Sequence, residues 1–390
     1  MPYFDHCATA PPNEEILSSY IDNMKQYWHN PASVYTEGVT AAKFIRDKRR
    51  ELSSILATDE EAWLFTSGAT ESIVTAICGT LRQRGGRRSR TIAFEGDHDA
   101  AGSALKAIRH DDWPVTMLPL AEGGRPDTEA LEKELQERAA TGEDIRLITV
   151  LLVSNETGAV ADVDAIKELR RCYAPDALLH LDMVQAPGRI ALNFADLDPD
   201  LASFSGHKLG APRGAGLLYI KPGITLKPLM RGGGQQGGRR GGTENAGLFA
   251  AMCDALISAV RSQERSIEHA AKLRALTLNE LDRAGTDYRL NLQPETADIH
   301  VPAILSISFP GLRAETLLRL MEQEGFQLSA ASACNSRADD SHVLVAMGLP
   351  PEQRQGTVRI SYALSNTEEE AVRLGAALAK QAAWLSAVFS

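Results

Sequence analysis

The sequence predicts an α/β protein: a mostly parallel sheet covered by helices on both faces, followed by a smaller α/β unit. Short apolar runs alternate with helical periods through the first two thirds of the chain, the pattern of βα units whose crossover helices cover a parallel sheet. A long helical pattern over about residues 248–284 then changes the texture, and beyond it strands and helices alternate more closely. At 390 residues the chain is long enough for two folding units, because single cores stop growing well before this size.

Residues 63–66 (Trp-Leu-Phe-Thr) read as a short buried strand, Ser67-Gly68 as a turn and 71–81 as a helix. Further strands are expected at 91–94, 115–118, 147–153, 178–182, 202–205 and 216–220, with helices at 128–139 and 163–172 between them. After the long helical pattern come a strand at 304–309, a helix at 314–324, strands near 326–328 and at 357–363, and a last helix from 367. The corresponding division is a large unit of residues 15–250 and a small unit of 1–14 with 251–390. The stretch from Arg231 to Thr243 is dense in glycine, and two readings stay open: a loose linker, or a backbone-rich loop beside a ligand.

Composition narrows the function classes. A net charge of −10 argues against a nucleic-acid or membrane-surface protein, both of which need a positive field. The basic cluster Arg87, Arg88 and Arg90 reads as a solvated surface loop. No apolar run is long enough to cross a bilayer, and the start MPYFDHCATAPP lacks the regions of a secretory signal. The five cysteines, Cys7, Cys78, Cys172, Cys253 and Cys334, show no C-x-x-C pair and no metal-ligand spacing. Free thiols suit a reducing compartment, so the cytoplasm is expected and no metal is.

Ligands on parallel sheets bind at the carboxyl ends of strands, so the residues just after the strands carry the functional reading. Lys208, in Ser205-Gly206-His207-Lys208, follows an apolar run; a lysine there is ordinarily just solvated, and only its company raises its interest. Thr66-Ser67-Gly68-Ala69-Thr70-Glu71 turns a strand into a helix and presents free N–H groups to an anion, although a plain N-capped helix reads the same way. Asp182 ends another apolar run and can hold a pyridine nitrogen protonated, or cap the next helix. Asn155 and Gln185 occupy similar positions as donors. His98 follows the 91–94 strand, where an imidazole could stack on a flat ring. Each signal is weak alone. Together they set Thr70, His98, Asn155, Asp182, Gln185, Ser205, His207 and Lys208 at successive strand ends of one sheet.

This set resembles the cysteine desulfurases of the NifS/IscS type, class-V members of the aspartate-aminotransferase-like fold of pyridoxal-phosphate enzymes. The resemblance runs from Tyr3-Phe4-Asp5-His6-Cys7-Ala8-Thr9 to Thr367-Glu368-Glu369-Glu370. It is most specific at Thr66–Ser72, at Ser205–Lys208 and at Arg240-Gly241-Gly242-Thr243-Glu244-Asn245, with support from His29-Asn30-Pro31-Ala32-Ser33 and Ala331-Ser332-Ala333-Cys334. It implies a large domain with a mostly parallel seven-stranded sheet, a smaller C-terminal α/β domain, and pyridoxal 5'-phosphate as cofactor. By that similarity Lys208 is the Schiff-base lysine, Asp182 the partner of the ring nitrogen, and His98 the ring that stacks on the cofactor. Gln185 and Asn155 contact the ring oxygen, while Ala69 (through its N–H), Thr70, Ser205 and His207 hold the phosphate. Thr243 reaches the phosphate of a neighbouring subunit, which implies a homodimer. Arg359 matches the arginine that binds the substrate carboxylate, for which its planar fork is suited, with Asn155 beside it.

Cys334 decides the reaction the resemblance implies: it receives the sulfur of L-cysteine as a persulfide, leaves L-alanine, and passes the sulfur to an acceptor protein. It lies in a run of small polar residues, Leu328-Ser-Ala-Ala-Ser-Ala-Cys-Asn-Ser336, expected to be a mobile loop with an accessible thiol. Cys78, Cys172 and Cys253 fall in helical periods and read as core or helix packing, and Cys7 has a place near the cofactor without a clear role. His98 is a further candidate as proton donor or acceptor near the substrate thiol. Met183, Pro187 and Leu364 depart from the familiar pattern and leave the branch within the family, and so the acceptor, open: iron–sulfur assembly, tRNA thiolation, DNA phosphorothioation or thio-metabolite synthesis. The rival readings are another pyridoxal-phosphate reaction (transamination, C–S β-elimination, selenocysteine cleavage) and a silent scaffold, against which Lys208, Asp182 and Cys334 count together. A dinucleotide enzyme is disfavoured, since no G-x-G-x-x-G opens the first βα unit.

Overall fold

The computed structural model describes residues 1–83, 89–292, 299–330 and 341–389. The described residues form eleven strands: β1 Trp63–Thr66, β2 Arg90–Phe94, β3 Val115–Leu118, β4 Ile145–Leu151, β5 Leu178–Asp182, β6 Leu201–Ser205, β7 Gly216–Ile220, β8 Arg289–Leu290, β9 Ile304–Ser308, β10 Ser329–Ala330 and β11 Thr357–Ser361. The first seven make one sheet in the order β1-β7-β6-β5-β4-β2-β3. Strands β3, β2, β4, β5 and β6 run parallel, while β7 is antiparallel to both of its neighbours. The last four form a second, antiparallel sheet in the order β10-β11-β9-β8.

Why these segments make strands is plain from burial. Every residue of β1, β6 and β7 is buried, so near-continuous apolar runs replace the alternation of a one-sided sheet. Helices Ala69–Gln83, Asp99–His110 and Thr128–Thr141 join the early strands. One core gathers around β4, β5 and β6, with Val150, Leu181, Phe204 and Trp63 among its members. A separate core lies on the second sheet, around Phe4, Leu305, Ile307, Leu317 and Ile360. The N-terminal residues belong to that second sheet, through bridges of Tyr3 with Gln327 and of Asp5 with Ser361.

Some expected boundaries shift. The long helical pattern is two helices, Ala246–Arg261 and Gln263–Arg283, which meet at Ser262. The strand expected near 326–328 lies at Ser329–Ala330, while Gln327 bridges to Tyr3. Helices Glu14–Gln26 and Thr36–Leu56 lie outside the predicted elements. The first buries only Ile16, so its apolar period is faint. Arg90 is not in a solvated loop: it opens β2, with Nε on Glu143 at 2.9 Å and a guanidinium nitrogen on Thr116 at 2.9 Å, and Arg87 and Arg88 lie outside the described residues. Cys78 and Cys253 are buried, but Cys172 is exposed. Its helix, Val163–Tyr173, buries only Val163 and Ile166, and the Cys172 thiol turns to Glu168 at the surface. No helix among the described residues is long and apolar enough to cross a membrane.

The glycine-dense stretch is not a loose linker. Gln236 is buried, and its side-chain amide pairs with the backbone of Phe65 twice, accepting from the Phe65 N–H at 2.7 Å and donating to its carbonyl at 2.9 Å. The amide thereby acts as one more strand partner for β1, the terminal strand of the sheet. Arg240 of the same stretch holds Glu71, Nε to Oε1 at 3.0 Å. Replacing Gln236 by Ala strands both backbone groups of Phe65 and is expected to lower the unfolding free energy by about 1–3 kcal/mol; urea denaturation of the two proteins measures it, and an unchanged midpoint refutes the pairing.

Candidate active site

The carboxyl ends of the parallel strands open on a cavity of about 480 Å³. The turn after β1 and the first residues of the helix Ala69–Gln83 form one wall. The first N–H groups of a helix have no acceptor within it and carry the positive end of its dipole, so the helix start at Ala69 and Thr70, which lines the cavity, is suited to an anion. Gly216 of β7 must be glycine here: a Cβ on it would stand 2.5 Å from the Gly68 Cα and 2.7 Å from Thr66 Oγ1. Glu71 sets the turn by accepting from the Ser67 N–H at 2.7 Å. Burial pushes the Glu71 carboxyl up, but the hydrogen bonds from Arg240 and Ser67 outweigh it and hold the group below its ordinary range.

Asp182, the last residue of β5, forms the floor of the cavity and accepts from the Val184 N–H at 3.1 Å. Burial raises its pKa, against the pull of His98 and Lys208; a further cation facing it would stabilise its charged form. Gln185 donates to the Cys7 carbonyl at 3.1 Å, and its buried Oε1 has no hydrogen-bond partner among the described residues. His98 caps the helix Asp99–His110, its Nδ1 accepting from the Ala100 N–H at 3.1 Å; in the neutral ring the proton is therefore on Nε2. Its neighbour Asp97 is buried, takes the N–H groups of Phe94 and Leu151, and is pushed by burial up to about 7. Lys208 donates from Nζ to the carbonyls of Cys7 and Ala8 at 2.6 and 2.7 Å. His207 is held by Thr9 at 3.1 Å, and burial, then the charges of Lys208 and Arg213, bring its ring down to about 4.

Opposite, Arg359 of β11 reaches in from the second sheet, 2 % exposed. Its guanidinium donates to Asp5 at 2.7 Å and to the Asn155 carbonyl at 2.9 Å, while Nε has no hydrogen-bond partner among the described residues. The cavity thus brings together Ala69, Thr70, His98, Asn155, Asp182, Gln185, Ser205, His207, Lys208 and Arg359. Thr243 is exposed and does not line the cavity of its own chain, and Cys334 lies outside the described residues. Asp5 and the carbonyls of Cys7 and Ala8 were not singled out by their sequence. Backbone acceptors leave no residue-type signal, and a single acidic residue near the N-terminus leaves little more.

Residues 2–374 match the profile of the family described as "Aminotransferase class-V". The chain belongs to this family. It is 31% identical over 370 residues to the "Putative cysteine desulfurase IscS 1" of Bacillus subtilis (strain 168), covering 94% of this chain and 95% of that one. A solved structure described as "NIFS-LIKE PROTEIN" superposes with a TM-score of 0.88 at 30% identity, over 99% of both chains. A second, "SspA in complex with cysteine", gives a TM-score of 0.79 at 25% identity, over 94% of this chain and 100% of that one. The aspartate-aminotransferase-like α/β fold read from the sequence is the fold of this chain. Members of the family depend on pyridoxal phosphate, and the cavity suits it: a helix N-terminus for a phosphate, a buried carboxylate for a ring nitrogen, an unpartnered buried amide oxygen and a lysine amine. Among the described residues no cluster of His, Cys, Asp and Glu could hold a metal ion.

Behind the cavity floor, Thr149, His180 and Ser203 make a buried polar row across β4, β5 and β6, with 2.8 Å from each ring nitrogen to a hydroxyl. Burial holds the His180 ring down at about 3, against the usual 6.5 or so. Between these values the unfolded chain binds a proton that the folded chain refuses, so this stability is present above about 6.5 and is lost as pH falls toward 3. In His180→Gln the slope of unfolding free energy against pH is expected to fall by up to about one proton in that window. Urea denaturation at a series of pH values measures it; an unchanged slope means that His180 is not the titrating group.

Proposed function

We infer that this protein is a pyridoxal-phosphate-dependent cysteine desulfurase that removes sulfur from L-cysteine, releases L-alanine and carries the sulfur as a persulfide on Cys334. The observation that carries the reading is the convergence of Lys208, Asp182, His98 and Arg359 on one cavity. Ala69, Thr70, Ser205 and His207 would hold the phosphate, Asp182 the ring nitrogen, Gln185 and Asn155 the ring oxygen, His98 the ring face and Lys208 the aldehyde. When bound, the cofactor supplies an aldehyde that condenses with amines and a ring that draws electrons from the substrate Cα.

Arg359 binds the substrate carboxylate with the planar fork that Asp5 and the Asn155 carbonyl already orient. The Lys208 amine would take the proton from the substrate Cα and return it. His98, with its proton on Nε2, stands as a donor to the sulfur of the substrate. The Cys334 thiolate attacks the substrate sulfur, the C–S bond breaks, and the carbon side leaves with the electron pair to be protonated to alanine. The persulfide then passes to an acceptor protein, a chemistry suited to a reducing cytoplasm.

The same reading makes the enzyme a homodimer in which Thr243 serves the cavity of the partner subunit. Thr243 is exposed, and the following helix begins beside Met24, since a Cβ on Gly247 would lie 2.9 Å from the Met24 Cγ. Met24 is one of several exposed apolar residues within 21–35, with Ile21, Trp28 (70 % exposed), Val34 (95 %) and Tyr35. Several large exposed apolar side chains in one stretch of chain support an interface there. The wild type is expected to sediment at twice the chain mass, and Trp28→Asp with Val34→Asp to shift it toward the monomer; a wild-type monomer sinks the dimer.

Incubating the holoenzyme with cysteine is expected to give alanine and Cys334 persulfide in equal amounts in the first turnover, read by amino-acid analysis and mass spectrometry. Cys334→Ala lowers alanine formation by about 10²-fold or more, and Lys208→Ala abolishes it. Undiminished alanine from Cys334→Ala would point instead to another pyridoxal-phosphate lyase on the same scaffold.

A further inference from the structure

One buried contact outside the reacting groups joins the two halves of the site. Glu156 follows Asn155 in the turn beyond β4 and is 7 % exposed; its Oε2 accepts a hydrogen bond from the hydroxyl of Ser341, which is 5 % exposed. Ser341 is the first described residue after 331–340. It also caps the helix His342–Ala346, its Oγ accepting from the Leu344 N–H at 3.2 Å. The next residue, His342, donates Nε2 to the Asp97 carbonyl at 3.2 Å, one residue before His98. Residues 341 and 342 therefore touch the two turns that present Asn155 and His98 to the cavity. On the other side, Ser329 and Ala330 pair with Arg359 and Val358.

Chain length makes these anchors matter. Cys334 is four residues from Ala330 (334 − 330) and seven from Ser341 (341 − 334), which limits its reach to roughly 14 Å and roughly 25 Å of fully extended chain. A hydroxyl donating to a carboxylate makes a charge-assisted bond, stronger than a neutral one, and breaking it leaves a buried carboxylate without its partner. Nothing in the proposed chemistry requires Glu156 or Ser341 to touch the substrate.

We propose that Glu156 and Ser341 are positioning residues for sulfur transfer: their contact fixes the downstream end of the Cys334 segment to the turn that carries Asn155. The proposal rests on the desulfurase reading. It separates two events, engagement of cysteine at the Lys208 side, which does not need the contact, and delivery of sulfur to Cys334, which does.

The test uses holoenzyme variants Ser341→Ala, Ser341→Thr and Glu156→Ala in single turnover with cysteine. Two signals are followed: the change in cofactor absorbance when cysteine is added, and the appearance of persulfide on Cys334. Ser341→Ala and Glu156→Ala are expected to keep the absorbance change at the wild-type cysteine concentration while persulfide forms about 10- to 100-fold more slowly, the cost of a small misplacement of a reacting group. Ser341→Thr keeps the hydroxyl and the wild-type rate. Persulfide forming at the wild-type rate in Ser341→Ala overturns the proposal, as does a parallel fall of both signals, which marks a merely structural role. If Glu156→Ala does not fold, Ser341→Ala against Ser341→Thr decides by the same two signals. A wild type that makes neither alanine nor persulfide refutes the desulfurase reading instead.

Discussion

The burial of one guanidinium shapes most of this molecule. Arg359 sits in the middle of β11, opposite Ser306 on one side and Ser329 on the other, and is 2 % exposed. A buried arginine needs a counter-charge and acceptors for its N–H groups, or its desolvation is uncompensated. The counter-charge is Asp5 and one acceptor is the Asn155 carbonyl, so the second sheet, the N-terminal segment and the end of β4 must meet at one point. Because Asp5 is held there, Cys7 and Ala8 fall within reach of Lys208, and Thr9 within reach of His207. The cation thus organises the far side of the cavity before any substrate arrives.

The near side follows from the topology of the larger sheet. Parallel strands deliver Asp182 and the turns beyond β2, β4 and β6 to one edge, and helix starts face the same way. Strand β7 runs against its neighbours, which brings Gly216 against Gly68 and makes room for the turn into the helix Ala69–Gln83. The buried row of Thr149, His180 and Ser203 sits inside this sheet with each ring nitrogen at a hydroxyl, so polar groups are buried there without being left unpaired.

Much of this was legible in the amino-acid order, for identifiable reasons. A strand buried on both faces reads as a short run dominated by apolar residues, and Trp63-Leu64-Phe65, Leu178-Leu179-His180-Leu181 and Leu217-Leu218-Tyr219-Ile220 supplied such runs. Reactive groups at strand ends then fell into line, from His98 to Lys208. What could not be read was contact made by backbone or by distant side chains: the carbonyls of Cys7 and Ala8 on Lys208, Asp5 on Arg359, and Glu156 on Ser341. Helical period also misled at Cys172. A helix can show an apolar period and still bury only two residues, and Cys172 lies on its outer side. The glycine-dense stretch held both readings open because glycine serves loose chain and tight approach alike. Gln236, a polar residue turned inward, decided between them.

That glutamine has a consequence for how copies of the chain can associate. A terminal strand with bare N–H and C=O groups is a template on which another chain can add a strand, the usual start of aggregation. At Phe65 both groups are already spoken for by the Gln236 amide, so growth of the sheet by edge-to-edge addition is blocked at this point. Exposed apolar side chains such as Trp28 and Val34 therefore stand on a molecule whose backbone at Phe65 is closed to the open-ended stacking that ends in fibres.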